Sequence, residues 1–244
     1  MLINLEGRKI PNVSFSIITD GKWNEVKSED IFRDEKVIVF SLPGAFTPTC
    51  SSSHVPRYNE LFNVFKENGI TKIVCISVND TFVMNAWKKD QNAENIYFLP
   101  DGNGTFTEKM GMLVDKTDLG FGKRSWRYAM IVNNGTIEKM FIEPEVDGDP
   151  FEVSDADTVL KHINPNVTLP PQITIITKPG CPHCNNAKST LKTKNLHFEE
   201  IILGGSNSML TLKAITSKTT VPQIYIDGEL IGGNEELTTL MNSK

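Results

Sequence analysis

The stretch Ile173-Thr174-Ile175-Ile176-Thr177-Lys178-Pro179-Gly180-Cys181-Pro182-His183-Cys184 runs from a β-branched apolar segment through a Pro-Gly turn into a C-x-x-C pair. Residues 172–177 read as a buried strand, and residues 184–194 as the helix behind it. A cysteine at that junction meets the unpaired N–H groups and the positive dipole end of the helix, which stabilise a thiolate. The same order occurs once more: Val37, Ile38, Val39, Phe40 and Ser41 lead through Pro43-Gly44 to Cys50. Strands that alternate with helices in this way predict an α/β fold with a central sheet flanked by helices.

Downstream of the C-x-x-C pair, residues 197–203 read as a strand, 208–216 as a helix and 223–226 as a strand. The Asp227-Gly228 turn and a final helix from Asn234 follow. Upstream lies Asn164-Pro165-Asn166-Val167-Thr168-Leu169-Pro170-Pro171, with three prolines in eight residues. Such a segment is stiff and extended at ~3.1 Å per residue, roughly 25 Å in all. It divides the chain into a first domain (residues 1–164), a linker (165–171) and a second domain (172–244). In the first domain, residues 36–41, 72–78 and 96–99 have the composition of buried strands. Residues 53–68 carry Leu61, Phe62 and Phe65 at helical spacing and stop at Gly69. Residues 127–132 and 136–142 flank Asn133-Asn134-Gly135, a hairpin signal. Residues 154–163 open with a Ser-x-x-Asp pattern that predicts a helix capped by Ser154.

Composition narrows the function. The 244 residues carry 25 Lys+Arg against 30 Asp+Glu, a net charge of −5, which disfavours a nucleic-acid partner. No apolar run approaches the ~20 residues that span a bilayer, so no membrane partner is expected. The opening Met-Leu-Ile-Asn-Leu-Glu-Gly-Arg-Lys-Ile-Pro lacks the apolar core of a secretory signal, and the expected location is the cytoplasm. Four cysteines, at 50, 75, 181 and 184, are too few for a disulfide scaffold. In a reducing compartment they are candidates for catalysis.

The Cys181–Cys184 spacing places two sulfurs within disulfide reach across one helical turn. Cys181, outermost, can attack a disulfide and Cys184 can resolve the product. Half of a zinc site is the competing reading, but tetrahedral zinc needs a second ligand pair that the sequence lacks, and no metal is expected. Together Lys178-Pro179-Gly180-Cys181-Pro182-His183-Cys184, Thr220-Val221-Pro222 and Gly232-Gly233-Asn234-Glu235-Glu236-Leu237 resemble a dithiol glutaredoxin over essentially all of residues 172–244. The resemblance implies a thioredoxin-like fold, a cis peptide at Pro222 and a redox disulfide between Cys181 and Cys184. It also implies a glutathione site in which Lys178 meets a carboxylate and Val221 beside Pro222 pairs its backbone with the tripeptide. Gly233, Asn234 and Glu235 would hold the γ-glutamyl end. His183 stands where the family has Tyr or Phe, and Asn234 where Ser or Thr is common.

Cys50 follows Pro43-Gly44-Ala45-Phe46-Thr47-Pro48-Thr49, in polar, turn-rich surroundings unlike those of a buried structural thiol. The P-x-x-x-T-x-x-C pattern resembles the peroxiredoxin signature. With Ser77-Val78-Asn79-Asp80 and Arg124-Ser125-Trp126-Arg127-Tyr128, it is similar to the type-five peroxiredoxins over roughly residues 1–163. The resemblance implies that Cys50 is the peroxidatic nucleophile that becomes a sulfenic acid. Thr47 would hydrogen-bond peroxide and thiolate, Arg127 would polarise both, and Pro43 would shield the pocket. Lowering a cysteine pKa from ~8.5 to ~6 raises its thiolate fraction at pH 7 only about 30-fold, so donors aimed at the O–O bond must supply the larger share of catalysis. Cys75, inside an apolar strand, reads as an inert thiol. His54 fits either the pocket or a cap, Arg124 reads as a surface charge, and His162 and His197 stay unassigned.

No cysteine lies between residues 76 and 163, so Cys50 has no evident resolving partner in its own domain. The expected activity is a glutathione-dependent thiol peroxidase acting on hydrogen peroxide and alkyl hydroperoxides. Glutathione is its reducing co-substrate and no cofactor is bound. Glutathione condenses with the Cys50 sulfenic acid, and Cys181 then takes the glutathionyl group. The stiff linker suggests a homo-oligomer, a dimer or tetramer, in which one subunit's second domain serves a neighbour. The alternatives are a general glutathione-disulfide oxidoreductase or deglutathionylase, and a redox-sensing module.

Overall fold

Val37, Ile38, Val39 and Phe40 are all fully buried, which places their strand in the middle of a sheet covered on both faces. The computed structural model describes residues 2–194 and 196–242 and separates into two units, Met1–Val167 and Thr168–Lys244. The first unit contains, in chain order, β1 (Ser14–Thr19), β2 (Lys22–Lys27), α1 (Ser28–Phe32), β3 (Lys36–Ser41), α2 (Val55–Glu60), α3 (Phe62–Glu67), β4 (Lys72–Ser77) and α4 (Thr81–Asp90). It continues with β5 (Ile96–Pro100), α5 (Thr105–Lys109), β6 (Leu113–Asp115), β7 (Lys123–Ser125), β8 (Tyr128–Asn133), β9 (Thr136–Ile142) and α6 (Ala156–Ile163). Its five-stranded sheet has the order β5-β4-β3-β8-β9. β3 pairs in parallel with β4 and antiparallel with β8, so the sheet is mixed.

The hairpin turn falls at Asn134 (φ 45°) and Gly135 (φ 70°), successive positive-φ residues of the kind a tight two-residue connection requires. Two local features depart from the sequence reading. Helical backbone starts at Pro48 rather than 53, and Cys50–His54 forms a π-turn closed by the Val55 N–H on the Cys50 carbonyl. Pro56 explains the wider turn, because it has no N–H to return to the carbonyl four residues back. At the other end of the unit, Ser154 does not cap the last helix. Asp155 does, accepting from the Thr158 N–H at 2.9 Å, while the Ser154 hydroxyl donates to the buried Glu143 carboxylate at 2.7 Å.

The second unit contains β10 (Ile173–Thr177), α7 (Pro182–Thr193), β11 (Glu199–Ile202), α8 (Met209–Thr216), β12 (Gln223–Ile226), β13 (Glu229–Gly232) and α9 (Asn234–Asn242). The sheet order is β11-β10-β12-β13, with β10 and β11 parallel and the remaining pairs antiparallel. Alternation along β10 serves two cores. Ile173 and Ile175 face Ala187, Leu191 and Leu237, whereas Ile176 faces Leu203 and Leu212. Helix α7 starts two residues earlier than its spacing suggested, with Cys181 at its N-cap. Among the described residues, no helix is long and apolar enough to cross a membrane.

Replacing Asp155 with Ala should cost the first unit about 1 kcal/mol through loss of its helix cap. Urea unfolding of that unit measures the loss, and an unchanged midpoint would contradict the assignment of the cap.

Candidate functional site

The end of β3 delivers the chain into a loop held by a single amide. Asn79 Oδ1, just past β4, accepts from the Ala45 N–H at 3.0 Å and from the Ser77 hydroxyl at 2.8 Å. Phe46 sits at φ 61°, an uncommon conformation for a bulky residue, with about half of its surface exposed. Thr47 donates its hydroxyl to the Gly44 carbonyl at 2.9 Å, leaving its lone pairs to accept. The loop ends at Cys50, which is fully buried in the first turn of the helix.

Arg127, just before β8, reaches the same point although it is 1% exposed. Its Nη1 lies 3.5 Å from Cys50 Sγ and 3.1 Å from His54 Nδ1, and its Nη2 donates to Asp149. Phe151 covers it, with the guanidinium 5.4 Å from the ring centroid. Because a guanidinium only donates, His54 Nδ1 must be the ring's acceptor. The proton of the neutral ring then belongs on Nε2, which lies 3.2 Å from the Ser154 carbonyl. Burial, and then the Arg127 charge, push the His54 pKa well below its usual value, so this ring stays neutral. Burial likewise raises the Cys75 thiol, with the nearby Cys50 adding to the shift. Outside Cys50, a cleft of about 280 Å³ is lined by Pro43, Thr47, Lys116, Leu119, Trp126, Arg127 and Asp149, among others.

In the second unit, Cys181 and Cys184 are joined by a disulfide, with Cα atoms 5.3 Å apart. The Cys184 N–H points at Cys181 Sγ (3.1 Å), and the Val221 carbonyl oxygen lies 3.8 Å from the same sulfur. The Val221–Pro222 peptide is cis. A cleft of about 450 Å³ is lined by His183, Lys218, Val221, Pro222, Gln223, Gly233, Asn234 and Glu235, with neighbouring residues.

The redoxin family profile matches residues 5–160, and the glutaredoxin profile matches residues 173–231. The hybrid peroxiredoxin hyPrx5 of Haemophilus influenzae is 59% identical over 234 residues, 96% of this chain and 97% of that protein. The chain is a hybrid peroxiredoxin of the redoxin family. Among solved structures, reduced Prx3 of Vibrio vulnificus in complex with H2O2 is 40% identical with a TM-score of 0.62. That match covers 66% of this chain and 99% of the other. The 1-Cys peroxiredoxin antioxidant protein of Plasmodium falciparum is 36% identical with a TM-score of 0.63, covering 66% and 99%. Peroxidase chemistry, an oxidoreductase activity, therefore belongs to this hybrid peroxiredoxin.

In the peroxiredoxin unit, the structure brings Cys50, Arg127 and His54 into contact, and Pro43 and Thr47 into the cleft wall. Arg124 is half-buried rather than a free surface charge: its Nε donates to the Phe121 carbonyl at 3.0 Å and its Nη1 to Val78. His162 packs edge-on against Phe141 at 5.3 Å. In the glutaredoxin unit, Val221, Pro222, Gly233, Asn234 and Glu235 share one cleft, while Lys178 is exposed at the end of β10 and Lys218 supplies the lysine of the cleft wall. Asp149, Phe151 and Lys218 escaped the sequence reading, and Ser154 was read only as a helix cap. Lys218 stands two residues before Thr220-Val221-Pro222 and could have been noticed, whereas no pattern marks Asp149 or Phe151.

In the unfolded chain His54 takes up a proton near pH 6.5, but in the folded protein only at much lower pH. Stability contributed by the neutral ring is complete above about pH 6.5. It falls as the pH drops below that, by up to about 1.4 kcal/mol per pH unit. Urea unfolding of the peroxiredoxin unit between about pH 5 and about pH 7 should show this slope, and His54→Phe should remove it. An equal slope in both proteins would refute the assignment.

Proposed function

We propose that this hybrid peroxiredoxin is a glutathione-dependent thiol peroxidase whose functional parts are residues 1–164, a linker at 165–171 and residues 172–244. The contact between Arg127 Nη1 and Cys50 Sγ at 3.5 Å is the observation that carries the reading. The Cys50 thiolate attacks one oxygen of the hydroperoxide. The O–O bond breaks, the leaving oxygen takes a proton to give water or an alcohol, and the sulfur becomes sulfenic acid. Charge developing on that oxygen needs donors already in place. Arg127 Nε is buried without a partner, so its N–H is available to the peroxide. Thr47 accepts from the hydroperoxide O–H, and Pro43 keeps water from the sulfur.

Glutathione then condenses with the sulfenic acid and releases water, leaving a mixed disulfide on Cys50. The Cys181 thiolate attacks its glutathione sulfur, frees the Cys50 thiolate and becomes glutathionylated. A second glutathione releases oxidised glutathione and regenerates Cys181. The Cys181–Cys184 disulfide enters this cycle only after reduction by glutathione. Val221, Pro222, Gly233, Asn234 and Glu235 bind the tripeptide, and an exposed Lys178 offers a positive charge for a carboxylate. Hydrogen peroxide and alkyl hydroperoxides are the substrates, in a reducing cytoplasm. Tethering raises the local concentration of the reductase domain. With a proline-rich linker spanning roughly 25 Å, transfer runs between subunits of a homo-oligomer.

Glutathione-dependent peroxide consumption should fall about a thousandfold or more in Cys50→Ser and fail similarly in Cys181→Ser, while Cys184→Ser keeps turning over. Whole-protein mass after peroxide and then glutathione should show a sulfenic acid replaced by a glutathione adduct in Cys181→Ser. Undiminished consumption by Cys50→Ser would falsify the reading, and full activity of a sedimenting monomer would exclude transfer between subunits.

A further inference from the structure

Glu143, immediately after β9, is 1% exposed, yet its carboxylate accepts four hydrogen bonds. Oε2 takes the Glu152 N–H at 2.9 Å. Oε1 takes the Val153 and Ser154 N–H groups at 3.0 and 2.8 Å and the Ser154 hydroxyl at 2.7 Å. Its main chain is tied to the residues that deliver the guanidinium: the Glu143 N–H donates to the Arg127 carbonyl at 3.2 Å, and its carbonyl accepts from the Trp126 indole at 2.8 Å. One residue thus fastens segment 152–154 to the strand end that bears Arg127.

That segment touches the site through one atom in particular. The Ser154 carbonyl accepts from the Tyr58 hydroxyl at 2.9 Å and faces His54 Nε2 at 3.2 Å. Among the described residues it is the hydrogen-bond partner of Nε2. As long as Nε2–H has that acceptor, the lone pair on Nδ1 faces Arg127. If the carbonyl moves, Nε2–H loses its acceptor, and only the Arg127 donor still favours the Nε2–H tautomer. The Nδ1–H tautomer would then oppose a donor to the guanidinium and push it away from Cys50.

We propose that Glu143 is a positioning residue of the peroxidase site, acting through the Ser154 carbonyl and the His54 tautomer on the placement of Arg127 beside Cys50. A buried carboxylate is costly unless fully hydrogen-bonded, and here all four bonds go to one short segment. Glutamine has the same shape, but its amide replaces an acceptor oxygen with an N–H donor, so it meets these N–H groups with the wrong polarity. The inference rests on the reading of Cys50 as the peroxidatic nucleophile, yet its first measurement does not use that reading.

In the full-length native protein, nitrogen NMR of His54 should show Nδ1 unprotonated and Nε2 protonated. An Nδ1–H ring overturns the proposal without any variant. In Glu143→Gln that signature should be lost or mixed, and the rate of Cys50 oxidation by peroxide should fall roughly ten- to hundredfold, as expected when a catalytic group is misplaced by about 1 Å. Disulfide exchange at Cys181 should be unchanged, and a cooperative urea transition of the peroxiredoxin unit serves as the folding control. A slower variant that keeps the native His54 signature shows a merely structural role and overturns the proposal, as does an unchanged rate. If Glu143→Gln does not fold, Glu143→Asp, which keeps the charge but shortens the reach, takes its place with the same two readouts. Peroxidase activity that survives Cys50→Ser would instead remove the reading of the nucleophile and leave the His54 measurement to decide the Glu143 assignment.

Discussion

A guanidinium that is 1% exposed must find every partner inside the protein, and the site around Arg127 is arranged by that need. Removing a permanent cation from water is costly, and the cost is recovered only where donors meet acceptors in good geometry. Asp149 supplies the opposite charge, His54 Nδ1 supplies a neutral acceptor, and the Phe151 ring covers the flat face. Each partner is then constrained in turn. His54 cannot be protonated on Nδ1, so it needs an acceptor at Nε2, and the Ser154 carbonyl must stay where it is. Nη1 also meets the reactive sulfur, and Nε is left without a protein acceptor.

The parts of this arrangement legible in the sequence are those whose cause is local. The uninterrupted run Val37 to Phe40 signals a strand buried on both faces, and Asn134-Gly135 signals the turn that brings β9 back beside β8. The C-x-x-C pair and the Pro-Gly turn before it mark the start of α7. The distortion at Cys50 is also local, because Pro56 removes an N–H from the helix interior, but the apolar spacing of residues 61–65 carries no sign of it. Ser154 is the instructive miss. Its Ser-x-x-Asp pattern is a fair capping signal, yet a buried carboxylate eleven residues upstream competes for the same hydroxyl. Partnerships of Arg127 with Asp149, or of His54 with Ser154, join residues 22 and 100 positions apart and leave no periodicity to read.

The two cysteines that began as one repeated pattern also diverge once their surroundings are compared. Both follow a strand and stand at the start of a helix, where free N–H groups gather. At Cys181 those groups do the work: the Cys184 N–H faces the sulfur at 3.1 Å, and Cys181 itself is the N-cap. At Cys50 the π-turn sends the Val55 N–H to the Cys50 carbonyl instead, and a side-chain cation stands beside the sulfur.

The difference matches the bonds each sulfur has to break. In thiol–disulfide exchange the leaving group is a thiolate, an anion stable enough to depart with little help, so the attacking sulfur needs only to be available. In peroxide reduction the leaving oxygen is far more basic than a thiolate, and its charge appears one atom beyond the sulfur. Backbone N–H groups aimed at the sulfur do not reach that atom, whereas a guanidinium, with several N–H groups on one plane, can meet the sulfur and a neighbouring atom together. The proposed reaction assigns that reach to Arg127, whose Nε is buried without a protein partner. Pro43 and Trp126 line the cleft beside this charge and Phe151 covers its face, so in the proposed reaction the peroxide meets the guanidinium with little competing water.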